Sequence, residues 1–192
     1  PIPWLGRRRL GFLDLETCCS AAEVGGWGRC HAMGISVVVL LETSPERVTV
    51  FREADLAKLC RRLSELDLVV GFNVKRFDYR VLQPYTNLQL EALPTLDILE
   101  DIHNFLGFRL SLGHLAEATL GRQKTGNGLL ALELYKQGRW EELESYCRQD
   151  VLLTKSLFEF GAQQGYLIYQ HRRGGLVRVP VAWEETRFFP EK

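Results

Sequence analysis

Residues 11–17 read "GFLDLET". A short apolar run of this kind predicts a buried strand, yet Asp14 and Glu16 stand one residue apart inside it. Side chains two apart on a strand share a face. Both carboxylates therefore project to one side while Leu13 and Leu15 project to the other. Burying two acids is costly unless they are paired or bound to a metal. Taken alone, the pair also fits a half-exposed strand with ordinary polar alternation, so its meaning depends on what the rest of the chain brings to that face.

Working outward, residues 10–15 form a first strand, 35–41 ("ISVVVLL") a second and 47–51 ("RVTVF") a third, with a Ser44-Pro45 turn between the last two. That order predicts a meander. Leu56, Leu59, Leu63 and Leu66 recur at helical spacing within 54–66, and "LVVGF" at 68–72 is a further buried strand. A helix over 75–83 stops before Pro84, a short strand covers 93–97 and a helix follows over 98–106. Helices over 112–120, 128–137 and 140–163 are separated by breaks at Gly121, Gly126 and Gly138. The tail, with Gly174-Gly175 at its centre, predicts a hairpin over about 166–183. A meander followed by alternating helices and strands predicts an α/β fold, a mixed sheet flanked by helices.

The 192 residues, 46% of them hydrophobic, suit one domain over 1–192 with its core over about 10–162. Lys plus Arg and Asp plus Glu both number 24, so no global field draws the chain to nucleic acid or to a membrane. Polyanion binding must be local, and residues 7–9, Arg61 with Arg62, and 171–173 read first as solvated surface. The five cysteines lack C-x-x-C spacing, and the adjacent Cys18 and Cys19 suit a tetrahedral zinc site with Cys30 and His31 poorly. Reduced thiols are expected. There is no apolar run of about 18 residues and no signal-peptide pattern, so a soluble, cytoplasmic protein without membrane association is expected. The chain opens on Pro1 rather than Met, as a piece of a longer protein would.

Two later segments supply partners for the acidic pair. In "FNVKRFD", Asn73 ends a buried strand and Asp78 lies in the first turns of the following helix, near the carboxyl end of the strand where α/β folds build sites. Asn73 as an N-cap and Asp78 as a first-turn acid are the plain alternatives. In "YCRQD", Tyr146 and Asp150 are at i and i+4 and share a helix face. Four carboxylates from separate segments would repel strongly if gathered in one cleft without cations, so Asp14, Glu16, Asp78 and Asp150, if they meet, imply divalent metal. All-oxygen ligands favour Mg²⁺ or Mn²⁺ over zinc.

Together these segments resemble the DEDD superfamily of 3′-to-5′ exonucleases over roughly residues 10–162. Asp14 and Glu16 match its first motif, Asn73, Phe77 and Asp78 its second, and Tyr146 and Asp150 its third. The histidine branch carries His five residues before the last Asp, where this chain has Ser145, so the tyrosine branch is the match. The segments "SLGHLAEATLG" and "GNGLLALELYKQGRWEELESYCRQDV" are similar to a bacterial ribonuclease-H-like exonuclease family associated with helicases. The resemblance implies a ribonuclease-H-like sheet, two metal ions with Asp14 touching both, and hydrolysis of phosphodiester bonds at 3′ ends of DNA or RNA, with a role in DNA repair and a helicase as partner.

A tyrosine of pKa about 10 is a poor base at neutral pH, so Tyr146 is expected to orient a metal-activated water. In "EVGGWGRCH", Trp27 is placed to stack on a terminal base and Arg29 to meet phosphate, although the glycines alone account for a turn. Lys124 in "KTGNG" either approaches the substrate backbone or links two helices. Asp97 is either a supporting acid or the N-cap of the helix that follows, and Asn73 supports the site by hydrogen bonding. The rival from another class is an inactive ribonuclease-H-like module that only binds nucleic acid or a helicase. Four retained, mutually repelling acids argue against it.

Overall fold

The computed structural model describes residues 2–124, 126 and 128–190. Strands β1 (Leu10–Thr17), β2 (Ile35–Thr43) and β3 (Glu46–Phe51) form an antiparallel meander. Strands β4 (Leu68–Gly71) and β5 (Thr95–Asp97) then add in parallel on the other side of β1, giving the order β3-β2-β1-β4-β5. This is the mixed sheet that the meander and the later alternation predicted.

The helices are α1 (Ala21–Val24), α2 (Leu56–Ser64), α3 (Asp78–Leu82), α4 (Ile98–Leu106), α5 (Leu112–Leu120), α6 (Gly128–Lys136) and α7 (Trp140–Gln164). A hairpin of β6 (Tyr166–Gln170) and β7 (Leu176–Pro180) and a turn of helix, α8 (Glu185–Phe188), follow. Among the described residues no helix is long and apolar enough to cross a membrane.

Strand alternation sorts the core onto the two faces of the sheet. Leu13, Leu15, Val38, Leu40 and Val69 pack with Leu56, Leu59 and Leu63 of α2 and Tyr79, Val81 and Leu82 of α3. Leu10, Phe12, Val37, Val39 and Val70 face the opposite way, against Val151, Leu157 and Phe158 of α7. Asp14 and Glu16 are the next residues of that second alternation. They leave the apolar floor just where β1 runs past β4, beneath the middle of α7.

Two shortened elements and one unpredicted helix have local causes. The helix expected over 75–83 is only Asp78–Leu82, because Asp97 takes the amides of Asn73 (2.8 Å) and Lys75 (3.1 Å) and holds a turn there instead. The strand expected over 93–97 shortens to Thr95–Asp97, as Pro94 has no amide to donate, although its carbonyl still accepts from Val69 N at 2.8 Å. The loop after β1 contains α1, whose Ser20 and Glu23 form a reciprocal capping box. That signature stood in the sequence as Ser-x-x-Glu.

The C-terminal segment closes over the far end of α7. Trp183 stacks on Phe158 with ring centroids 5.8 Å apart, and its Nε1–H donates to Asp101 Oδ2 at 2.7 Å. Gly161 makes this approach feasible: a Cβ there would lie 2.4 Å from the indole.

Candidate metal centre

Carboxylate oxygens of Asp14, Glu16 and Asp150 lie within 4.8 Å of one another, the one such acid cluster among the described residues. At an effective dielectric of about 20, each ionised pair at that separation repels by about 3 kcal/mol. Three such pairs would approach the whole stability of a domain, roughly 5–15 kcal/mol. The cluster must therefore hold protons or cations.

Both responses are visible. Burial pushes the Asp14 carboxyl up to about 7, and the neighbouring Asp150 charge adds to the rise, with Lys124 and the Cys147 thiol opposing it. Glu16 is raised well above the carboxylate range by burial and then by Asp14 and Asp150. Burial also raises Asp150, while Lys124 pulls it down. Lys124 Nζ donates to Asp150 Oδ2 at 2.5 Å and lies 5.2 Å from the centroid of the Tyr146 ring. Burial alone would lower this ammonium's pKa, but the ion pair reverses the shift to a net rise.

Asp78 occupies a different position from the other three acids. Strand β4 ends at Gly71, opposite Leu13, so the β1 edge beyond it has no strand partner. Asp78 Oδ1 accepts from Leu15 N there at 3.1 Å and lies outside the mutual set of three. Burial and then the charge of Asp14 raise its pKa. Asp14 is thus the acid felt from both sides, by Asp78 and by Glu16.

Asp97 organises the approach to Asp78. It caps α4 through Leu99 N and Glu100 N, and also accepts from Asn73 N and Lys75 N. It is therefore the N-cap considered for it, and it also fixes the turn that precedes Asp78. Asn73 is not the helix N-cap considered for it: its φ of 66° puts it in the left-handed region, which asparagine tolerates better than most residues. Its side-chain Oδ1 accepts from Arg109 Nη2 at 2.6 Å.

Phe77 meets Trp27 edge-on at 6.1 Å, and Trp27 is 71% exposed beside the acids. Glu16, Trp27, Asn73 and Phe77 line one recess of about 670 Å³. Arg29 lies exposed in the same turn but does not line that recess. Of the "KTGNG" segment, Lys124 pairs with Asp150, whereas Thr125 and Asn127 lie outside the described residues. Cys147, which the motif reading passed over, places Sγ 3.4 Å from both Asp14 O and Asp14 Oδ2. Its adjacency to Tyr146 in the motif helix was the available signal. Cys18, Cys19 and Cys30 are free thiols and form no acid–thiol cluster with His31.

The donor set fits a hard divalent cation. Every member is an oxygen, and Asp150 Oδ1 is buried at the cluster with no hydrogen-bond partner, while the Tyr146 hydroxyl interacts with Lys124. Buried polar atoms without partners are rare in native proteins and call for a ligand. Burial and the charge of Asp150 also raise the Tyr146 phenol above its ordinary range.

A five-stranded 3-2-1-4-5 sheet, with acids at the end of its first strand and another on the helix crossing it, defines a ribonuclease-H-like domain. The chain belongs to the RNase_H superfamily, whose model matches residues 12–160. A family B DNA polymerase from the hyperthermophilic archaeon Pyrobaculum calidifontis has a similar structure, with a TM-score of 0.61 at 16% identity. The likeness covers 80% of this chain and 24% of the polymerase chain, so this chain spans about a quarter of that protein's length. No curated protein matches the sequence. Membership of the superfamily and the acid cluster support a nuclease that acts on nucleic acid with divalent metal.

Proposed function

We propose that the protein is a 3′-to-5′ exonuclease of the tyrosine branch, releasing nucleotides from 3′ ends with two Mg²⁺ or Mn²⁺ ions. The observation that carries this reading is the convergence of Asp14, Glu16 and Asp150 beside the Tyr146 phenol, which feels the charges of Asp150 and Glu16. Asp14, Glu16, Asp78 and Asp150 would hold the metal. Bound there, the ions supply a water of lowered pKa and charge to stabilise the leaving oxygen.

The protein's own groups do the rest. Tyr146, with its phenol held protonated, orients the attacking water by hydrogen bonding. Lys124, already at the rim of the cluster, neutralises phosphate charge when the cations take Asp150. Trp27 and Phe77 pack against the terminal base in the recess beside Glu16. Polarity rests on the resemblance of the three motifs, and a helicase partner that would supply single-stranded ends rests on the likeness of residues 111–121 and 126–151 to the helicase-associated family.

Oligonucleotides labelled at the 3′ or the 5′ end and incubated with Mg²⁺ or Mn²⁺ test this reading. A 3′ label should leave as mononucleotide at once, while a 5′ label should give a ladder. Absence of hydrolysis on both DNA and RNA with either ion would refute it.

A further inference from the structure

Three recesses are connected through shared wall residues, beginning at the one that Glu16 lines. Asn73 and Phe77, which wall the one beside Glu16, also wall a second of about 350 Å³ with Arg76, Arg80 and Arg109. Arg109 in turn walls a third of about 420 Å³, set between residues 108–111 and the β6 end of the C-terminal hairpin. The bond from Arg109 to Asn73 Oδ1 ties the path together at its middle.

The third recess has a distinct chemistry. Its lining includes Arg109, Arg172, His114 and His171 but no acid. Among the described residues, Arg76, Arg80, Arg109 and Arg172 form no ion pair, although the chain as a whole is neutral. Tyr169 is buried at its centre, ringed by Phe108 at 5.8 Å, His171 at 6.2 Å and His114 at 6.5 Å, and Phe108 is 44% exposed. A solvated basic surface needs neither concavity nor an exposed aromatic ring. Cations interleaved with aromatics in a groove are what binds single-stranded nucleic acid, phosphates to the charges and bases to the rings. The hairpin side of this recess lies beyond the matched residues 12–160.

We propose that this recess holds nucleotides several positions upstream of the 3′ end engaged at the acids, with Arg109 and Arg172 on phosphates and Phe108 under a base. Only an unpaired base offers a face for stacking, so the substrate class is single-stranded polynucleotide. The direction of the strand rests on the exonuclease reading above.

The test uses the full chain without divalent metal and measures anisotropy of labelled oligothymidylate and oligouridylate of three and ten nucleotides at several salt concentrations. The ten-nucleotide strand should bind at least about tenfold more tightly than the three-nucleotide strand. Phe108→Ala should shrink that gain by about fivefold or more, and Arg172→Ala should reduce the magnitude of the log–log salt slope by about 0.7. Both side chains are exposed, and thermal midpoints confirm that the variants fold. A gain on thymidylate, uridylate or both supports the site and identifies the sugar it accepts. Equal affinity of the long strand for wild type and both folded variants overturns it, as does equal binding of a blunt duplex. Phe108-sensitive length dependence without metal-dependent hydrolysis would remove the nuclease reading and leave this site standing, and hydrolysis without length dependence would do the reverse.

Discussion

Lys124 and Asp150, 26 residues apart, meet as a largely buried ion pair at the rim of the acid cluster. The lysine is the cation nearest to a group of carboxylates that repel one another. It stands in for part of the charge that metal would bring, so the two compete for Asp150.

Lys124→Met should separate these roles. Removing one partner of a buried pair costs about 3 kcal/mol or more, so urea unfolding in EDTA should show a loss of that order. Mn²⁺ should restore most of it and bind more tightly than to wild type by calorimetry. Weaker Mn²⁺ binding by the variant would show that the lysine does not compete with metal.

Tyr146 and Asp14 should fail differently. Tyr146→Phe should lower kcat by about 10²-fold with Mn²⁺ affinity nearly unchanged. Asp14→Asn should abolish hydrolysis and weaken metal binding together. Equal loss of binding in both variants would refute these roles.

The acid cluster also sets a pH dependence. The Asp14 carboxyl rises from 3.8 to about 7 on folding, so between those values the folded chain holds a proton that the unfolded chain has released. That stabilisation is complete below about pH 4 and is lost as pH rises through about 7. Metal-free protein should therefore melt at a lower temperature at pH 7.5 than at pH 5, and Mg²⁺ should help more at the higher pH. A melting temperature that rises over this interval in EDTA would contradict the assignment.

Asp97→Ala should damage the site without touching it. Four backbone amides lose their acceptor, including those that fix the turn before Asp78. A lost cap alone costs roughly 0.5–2 kcal/mol, and the turn adds to it, so thermal unfolding should register about 2 kcal/mol or more. Activity should fall further than stability explains, and Asp97→Asn should recover part of both.

What could be read from the chain, and what could not, follows from the range of each interaction. Asp14 with Glu16, and Tyr146 with Asp150, are pairs set by strand alternation and the helical turn, and local spacing reveals such pairs. The ends of the α4 and α5 helices were equally legible, because Asp97, Ser111, Gly107 and Gly121 are local stop and start signals. Lys124 against Asp150 and Arg109 against Asn73 join segments 26 and 36 residues apart, and nothing nearby in sequence announces either. The left-handed turn at Asn73 was hidden for a related reason, since the carboxylate that holds it belongs to another strand.

Trp183 bears on where this domain can be cut. It lies beyond the matched residues 12–160, yet it seals Phe158 of the very helix that carries Tyr146 and Asp150. A fragment ending at residue 162 would bare that aromatic face and loosen the ligand-bearing helix from the opposite end. Such a fragment should be insoluble or metal-blind, whereas one extended through residue 189 should express as a folded, metal-binding unit. What sequence comparison treats as a trailing appendage is, for expression and crystallisation, the minimum boundary.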